Sequence, residues 1–129
     1  MTMFNSIGIA QSGIGTYKAW IDAISDNVAN VSTTRRTSEA AYQARSLAVE
    51  SDPAGGVRVS AVRFGNAEGR IVSDPNNPLA DEQGLVRQPG MNLSDEMTSL
   101  IIAQRAYQAN VTAFERARDG YLRELEIGK

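Results

Sequence analysis

The residues best suited to acid–base chemistry in this chain are three pairs of carboxylates. The pairs are Asp22 with Asp26, Asp81 with Glu82, and Asp95 with Glu96. Two carboxyl groups can act as general acid and general base when they converge on a substrate. The sequence contains no cysteine and no histidine, which excludes thiolate nucleophiles, Ser–His dyads and metal sites built on sulfur or imidazole.

Each carboxylate pair also has a structural explanation. Asp95 and Glu96 fall in the first turn of a predicted helix, where the helix dipole favours anions. The other two pairs fall on a polar helix face and in a turn-rich stretch. Because no base, oxyanion donor or ligand set accompanies them in the sequence, we expect a protein that is not an enzyme and holds no cofactor.

Calcium binding is an alternative role for one group of oxygen-bearing side chains. The group is Asp74, Asn76, Asn77 and Asp81. Two prolines lie among these residues, and no glutamate stands at the spacing that would supply a bidentate ligand. The pattern therefore favours a plain turn, and we expect no metal.

Length and charge exclude further classes of protein. The chain has 129 residues, the size of one domain, and 13 Lys and Arg against 15 Asp and Glu give a net charge of −2. That balance is poor for binding nucleic acid. No apolar run approaches the about 20 residues that span a membrane. The first charged residue is Lys18, so we expect no cleavable secretion signal with a basic start.

Apolar residues near the start recur at heptad spacing and predict an amphipathic helix from Ser6 to Asn30. One row is Ile7, Ile14, Ile21 and Val28, and the other is Ala10, Tyr17, Ile24 and Val31. Ser6 is a candidate N-cap, and Asn30 can take a left-handed C-terminal cap. Gly13 and Gly15 each cost about 1 kcal/mol relative to Ala inside a helix, so this helix needs a partner.

A second heptad pattern predicts a helix from Asn92 to Ile127. One row is Met97, Gln104, Val111, Arg118 and Leu125, and the other is Leu93, Leu100, Tyr107, Phe114 and Tyr121. Asn92 or Ser94 can cap its start, and Gly128 is placed to end it. Polar residues at seam positions, Gln104 and Arg118, lower stability but specify the partner.

The central residues, 33–91, lose this periodicity and accumulate turn formers. Val57 and Val59 alternate with polar residues, and Val62 and Phe64 continue on the opposite phase, which predicts a strand with a bulge or bend near Ala61. Another strand is predicted over residues 42–49, although the Ala-rich residues 39–44 could equally extend a helix.

These patterns predict a mainly α fold. Long N-terminal (1–32) and C-terminal (92–129) helices pair as an antiparallel, coiled-coil-like hairpin around a small β-containing central segment (33–91), and together they form one assembly unit. One seam per helix buries too little apolar surface to offset the entropy of ordering the first helix. We therefore expect neighbouring chains to cover the remaining apolar flanks along an assembly seam. The seam residues are Ile7, Ile14, Tyr17, Ile21, Ile24, Val28, Met97, Leu100, Gln104, Tyr107, Val111, Phe114, Tyr121 and Leu125.

Two sequence runs resemble a known family. Residues 25–31 (SDNVANV) resemble the N-terminal signature of bacterial flagellar rod and hook proteins, and Glu96-Met97 with residues 103–111 (AQRAYQANV) are similar to their C-terminal signature. The signature residues are Asn27, Ala29, Asn30, Glu96, Met97, Arg105, Tyr107, Gln108, Ala109 and Asn110. The central runs 55–59, 74–75, 77–81 and 84–86 resemble the short proximal-rod members of this family.

The resemblance implies a structural role in motility. Such a subunit would be exported by the flagellar type III apparatus without a cleavable signal and would assemble in the periplasm. Its partners would be copies of itself and other rod and hook axial proteins, joined through their terminal helices into a tube that transmits torque from motor to hook.

Other functions fit the residues less well. The chain could be another flagellar rod member, or a self-contained coiled-coil adaptor or secretion chaperone, which predicts a stable helical monomer or dimer. A small carboxylate hydrolase is a third possibility. The rod interpretation instead predicts weak helicity in the first 30 residues of the isolated chain.

Overall fold

The computed structural model describes residues 3–128 and contains two long helices separated by two β-hairpins. In chain order the elements are α1 (Met3–Asn30), β1 (Arg45–Ser51), β2 (Val57–Phe64), β3 (Arg70–Ser73), β4 (Leu85–Gln88) and α2 (Leu93–Ile127). Within the described residues, neither helix combines the length and apolarity needed to cross a membrane. The predicted architecture of two long helices around a small β segment is confirmed.

The ends of α1 differ from the prediction. The helix begins at Met3 rather than at Ser6, so Ser6 is not its N-cap. It ends at Asn30 as predicted, but no residue other than glycine has a positive φ between residues 3 and 128, so the left-handed cap is wrong. The Asn30 amide instead donates to the Asp26 carbonyl at 2.9 Å, and its Oδ1 accepts from the Thr33 hydroxyl at 3.0 Å.

The ends of α2 follow the predicted capping. Asn92 has an extended backbone, and its side-chain oxygen accepts from the Ser94 N–H at 2.9 Å. Gly128 ends the helix by donating its N–H to the Glu124 carbonyl at 3.1 Å. These bonds satisfy backbone groups that have no partner inside the helix.

The first hairpin, β1–β2, carries the predicted bulge. β2 covers Val57–Phe64 as predicted, and the register shifts between Ala48 and Val49, so that Ser60 is the extra residue, one position from the expected bend. β1 begins at Arg45, three residues later than predicted. Residues 39–44 are not helical, so the alternative of a helix extension is wrong.

The second hairpin, β3–β4, was not predicted, because its strands have only four residues each. It has a small core of its own, in which Val86, Pro89 and Ala41 are buried. Arg87 pairs with Arg35 in an isolated bridge, and its guanidinium donates to the Thr37 carbonyl at 2.7 Å. These contacts hold the loop after α1 against β4.

The two helices run side by side in opposite directions. Phe4 near the start of α1 packs edge-on against Tyr121 near the end of α2, with ring centroids 4.8 Å apart. At the other end, Asn27 bonds Glu96. α1 also contacts β1 and β2, whereas α2 contacts neither of these strands. α1 therefore lies between α2 and the first hairpin.

Candidate functional site

The contact between α1 and α2 is built from small side chains. Ala103 is fully buried on α2, and Ala10 is buried on α1. A Cβ added to Gly13 would overlap the side-chain amide of Asn110. The Asn110 side chain therefore packs directly over Gly13, and a larger residue there would displace it.

One of the two predicted rows on α2 contributes to this contact and the other does not. In the predicted row that begins at Leu93, four residues are half-buried: Leu100, Tyr107, Phe114 and Tyr121. In the predicted row that begins at Met97, Val111 is half-buried, and the exposed residues are Met97, Gln104, Arg118 and Leu125. The second row that is at least half-buried lies one residue earlier along the chain than the Met97 row. It consists of Glu96, Ala103, Asn110 and Ala117.

The predicted rows of α1 are partly buried. Ala10 and Ile24 of one row are buried, and the half-buried residues are Ile7, Ile14, Tyr17, Ile21 and Val28. The positions with the least exposure include the polar residues Thr16 and Asn27. The predicted heptad rows do not contain Thr16, Gly13 or Ala103, and they do not contain Asn27, which was singled out only as a signature residue. The spacing of small residues, rather than the spacing of large apolar residues, could have identified Gly13 and Ala103 as contact positions.

Asn27 joins α1, β1 and α2 through one buried side chain, which is 2% exposed. Its Nδ2 donates to a Glu96 carboxylate oxygen and to the Arg45 carbonyl, both at 3.0 Å. Its Oδ1 accepts from the Arg45 N–H at 2.8 Å and from the Tyr42 hydroxyl at 3.3 Å. The amide thus uses both donor hydrogens and both acceptor positions. Partial burial raises the pKa of the Tyr42 phenol above its usual value.

The structure brings together only some of the signature residues. Asn27 and Glu96 are bonded to each other, and Asn110 faces Gly13 while its Nδ2 donates to the Ala106 carbonyl at 2.8 Å. Tyr107 is half-buried. The remaining positions of the α2 signature lie on its exposed surface: Met97, Arg105, Gln108 and Ala109. On α1, Ala29 is exposed and Asn30 ends the helix.

The other carboxylates serve local structure. Asp22 pairs with Lys18 at 3.0 Å on the exposed surface, and Asp26 pairs with Arg45 at 2.8 Å. Asp74 accepts from the Asn77 amide at 3.0 Å, within the turn that was considered for calcium. No two of the predicted pairs are brought together by these contacts.

Asp81 organises the turn before β4. Its side chain accepts from the Leu85 N–H at 2.9 Å, the Gln83 N–H at 3.0 Å and the Thr37 hydroxyl at 3.0 Å. These bonds, led by the one from Leu85, hold the pKa of the Asp81 carboxyl below its ordinary value of 3.8, because they stabilise the ionised form.

The outward side of α2 exposes large apolar residues. Leu93, Met97, Ile101 and Arg105 recur every four residues and form a row along the helix surface, which we call the outer ridge. Ile101 is 49% exposed. Further along the helix, Leu122 and Leu125 are also exposed. Several large apolar side chains exposed along one helix indicate a surface that binds another molecule.

Comparisons with known proteins agree with this arrangement. A family model described as the flagellar basal body rod FlgEFG protein C-terminal region matches residues 82–121, which include most of α2. The chain is 32% identical over 134 residues to the flagellar basal-body rod protein FlgC of Yersinia enterocolitica, and the match covers all of both chains.

Two further relatives carry the same name. The flagellar basal-body rod protein FlgC of Bacillus subtilis is 28% identical over 150 residues, and that of Salmonella typhimurium is 29% identical over 134 residues, each with full coverage of both chains. Similarity along the entire chain, at this identity, means that the chain belongs to the FlgC family of flagellar basal-body rod proteins.

Proposed function

We propose that this chain is a structural subunit of the proximal rod of the bacterial flagellar basal body. It polymerises through α1 and α2 into the axial tube that transmits torque for motility. Its full-length similarity to relatives named rod proteins supports this role.

The observation that carries the proposal is the distribution of apolar side chains. Among the described residues, four of the six buried hydrophobic residues are alanines, whereas thirteen large hydrophobic residues are exposed. Moving such side chains out of water is favourable, at about 25 cal/mol per Å² of apolar surface. A chain with small residues inside and large ones outside gains most of that free energy when neighbouring subunits cover it.

The predicted assembly seam belongs to this proposal. The seam residues that are exposed within one chain, among them Met97, Gln104 and Leu125, would contact neighbouring subunits. The half-buried ones would pack in a coiled-coil-like manner between α1 and α2. The partners are copies of this chain and other axial proteins of the rod and hook.

The role we propose is structural rather than enzymatic. The carboxylates Asp22, Asp26 and Asp81 are each engaged in local ion pairs or turn hydrogen bonds, which supports this view. We further propose export by the flagellar type III apparatus without a cleavable signal, followed by assembly in the periplasm. A helix that completes its packing only on docking would delay polymerisation until export is finished.

Substitution of Ile101 tests the proposal. Ile101→Asp places a charge on the exposed side of α2, so it should leave the fold of the single chain intact but prevent burial against a neighbour. In cells lacking their own copy of the protein, we expect the variant to be exported, to be absent from purified basal bodies and to fail to restore swimming. Ile101→Met, which stays apolar, is the matched control and should restore swimming. Basal bodies containing Ile101→Asp at the control level would contradict the proposal.

A further inference from the structure

The first hairpin lies along α1 and is attached to it near both ends. At the base, where β1 begins, Asn27 bonds the N–H and the carbonyl of Arg45 at 2.8 and 3.0 Å, and Arg45 pairs with Asp26 at 2.8 Å. At the tip, where β2 begins, the Ser12 hydroxyl accepts from the Val57 N–H at 3.1 Å. Ser12 and Asn27 are about 22 Å apart along the axis of α1, at about 1.5 Å per residue.

Between these two attachments the hairpin packs loosely on α1. Two apolar cavities, of about 230 and 460 Å³, lie between the hairpin and the helix, and Leu47 lines both of them. Val49, Val59 and Val62 also line these cavities and are between 37% and 49% exposed. Side chains that face empty space lose their dispersion contacts on that side. The hairpin is therefore held mainly by its base and its tip.

The base is the stronger of the two attachments. Asn27 is buried and makes four hydrogen bonds, and the ion pair of Asp26 with Arg45 lies beside it. At the tip, a single hydrogen bond joins the neutral Val57 N–H to the neutral Ser12 hydroxyl. A bond between neutral groups contributes little net stability, so we expect the hairpin to detach first at its tip.

The turn of the hairpin meets α1 through glycines. Gly55 and Gly56 have φ values of 103° and 90°, a region that glycine adopts without strain. A Cβ added to Gly56 would overlap the Ser12 hydroxyl and lie 3.3 Å from the Ile9 Cα. A Cβ added to Gly55 would lie 3.2 Å from the Asn5 Oδ1. The turn therefore rests directly on the first half of α1.

This half of α1 has the least helical stability of its own. It contains all three glycines of the helix, Gly8, Gly13 and Gly15, and each weakens a helix relative to alanine. The Ser12 hydroxyl donates to the Ile9 carbonyl at 2.7 Å, and a bond of this kind slightly destabilises a helix. The contact with the hairpin tip thus acts on the part of α1 that most needs support.

We propose that the first hairpin is a strap with two states and that Ser12 is its latch. In the closed state the Val57 N–H is bonded to Ser12, and the first half of α1 is helical. In the open state the strap turns about its base at Asn27, the bond to Ser12 is lost, and residues 3–15 lose their helical structure. Closing of the strap and ordering of this half of α1 stabilise each other equally. The strap is a property of the single chain, so this inference goes beyond the proposed function.

The state of the strap decides whether the two long helices pair along their full length. Phe4 packs on Tyr121, and Gly13 lies under the Asn110 side chain. Both contacts require a helical first half of α1, so both are lost when the strap opens. Because α2 contacts neither β1 nor β2, the strap acts on α2 only through the order of α1.

Hydrogen–deuterium exchange of the purified full-length chain tests this coupling. The background is Gly8→Ala/Gly15→Ala, because α1 of the isolated parent chain is expected to be only weakly helical and an added Cβ at either glycine has no neighbour within 4 Å. The two substitutions should slow exchange of residues 3–15 by about 25-fold in total. We expect the Val57 amide, which neither substitution touches, to slow by a similar factor.

Ser12→Ala in this background separates a latch from an ordinary helix residue. Alanine is a better helix former than serine, so without a latch the variant should exchange more slowly over residues 3–15. The latch predicts the opposite, an increase of about fivefold in the exchange rate from the loss of the bond to Val57. Ser25→Ala is the matched control. The Ser25 hydroxyl donates to the Ile21 carbonyl at 2.7 Å in the same helix, and its removal should not speed exchange of residues 3–15.

Three results would overturn the inference. An unchanged Val57 amide in Gly8→Ala/Gly15→Ala would show that the strap and the helix are independent. Equal or slower exchange of residues 3–15 on adding Ser12→Ala would show that Ser12 is not a latch. No protection of either region in the background variant would show that helix and latch together are too weak to close the strap. None of these results concerns incorporation into basal bodies, so the proposed function would stand.

Discussion

Replacing Gly13 by alanine sets two effects against each other in α1. Alanine favours the helix over glycine by about 1 kcal/mol, so the substitution stabilises an isolated helix. In the folded chain, however, the new Cβ overlaps the Asn110 side chain across the helix contact. Gly15 is the matched control, because an added Cβ there has no neighbour within 4 Å.

The expected magnitudes follow from these contacts. Gly15→Ala should stabilise α1 by about 1 kcal/mol. In Gly13→Ala, Asn110 must rotate and give up its bond to the Ala106 carbonyl, which costs about 1 kcal/mol, or the helices must separate, which costs about 1–3 kcal/mol as overpacking. Gly13→Ala should therefore lie about 1–3 kcal/mol below Gly15→Ala in the free energy of opening of α1.

Hydrogen–deuterium exchange of α1 amides in the chain assembled into basal bodies measures this free energy, because α1 of the isolated chain is expected to be only weakly helical. We expect lower protection in Gly13→Ala than in Gly15→Ala, and recovery in the double variant Gly13→Ala/Asn110→Ala, because removing the amide relieves the overlap. Equal protection in the two glycine variants would refute the packing of the Asn110 side chain over Gly13. Failure of the double variant to recover would refute the role of Asn110.

Two other predictions concern polar contacts. Asn27→Ala removes four hydrogen bonds, one of them to the carboxylate of Glu96, so exchange should report a loss of about 3–5 kcal/mol. Asn30→Ala, which breaks only local bonds, should cost about 1 kcal/mol, and equal losses would contradict the junction at Asn27. The pKa of Asp81 is lower in the folded chain, so its stabilising effect is complete above the unfolded pKa and is lost as pH falls through the folded one. The amide resonance of Leu85 should accordingly titrate with a midpoint below 3.8, whereas a midpoint at or above 3.8, or persistence in Asp81→Asn, would contradict this role.

The two rows on α2 show where periodicity stops being informative. The predicted row beginning at Met97 and the observed row beginning at Glu96 have the same heptad spacing and differ by one residue. Hydrophobicity favours the row with larger apolar residues. The structure instead turns the row of Ala103 and Asn110 towards α1, where Ala103 is fully buried and the Asn110 side chain packs over Gly13.

Short elements were the other limit. β2 and its bulge could be predicted because apolar and polar residues alternate on each side of a change of phase, whereas β3 and β4 have four residues each and include Arg70, Ser73 and Arg87. Such strands are held by contacts outside themselves, in this case the bridge between Arg35 and Arg87. Local sequence does not record contacts of this kind.

The sequence by itself determined the two long helices, the capping of α2, the strand from Val57 to Phe64 and the family signatures, because each depends on neighbours within a few turns along the chain. Only the tertiary structure decided which side of α2 is buried, that Asn27 bonds Glu96, and that the outer ridge stays exposed. Those outcomes depend on contacts between segments that are far apart in sequence, such as the fit of the Asn110 side chain over Gly13.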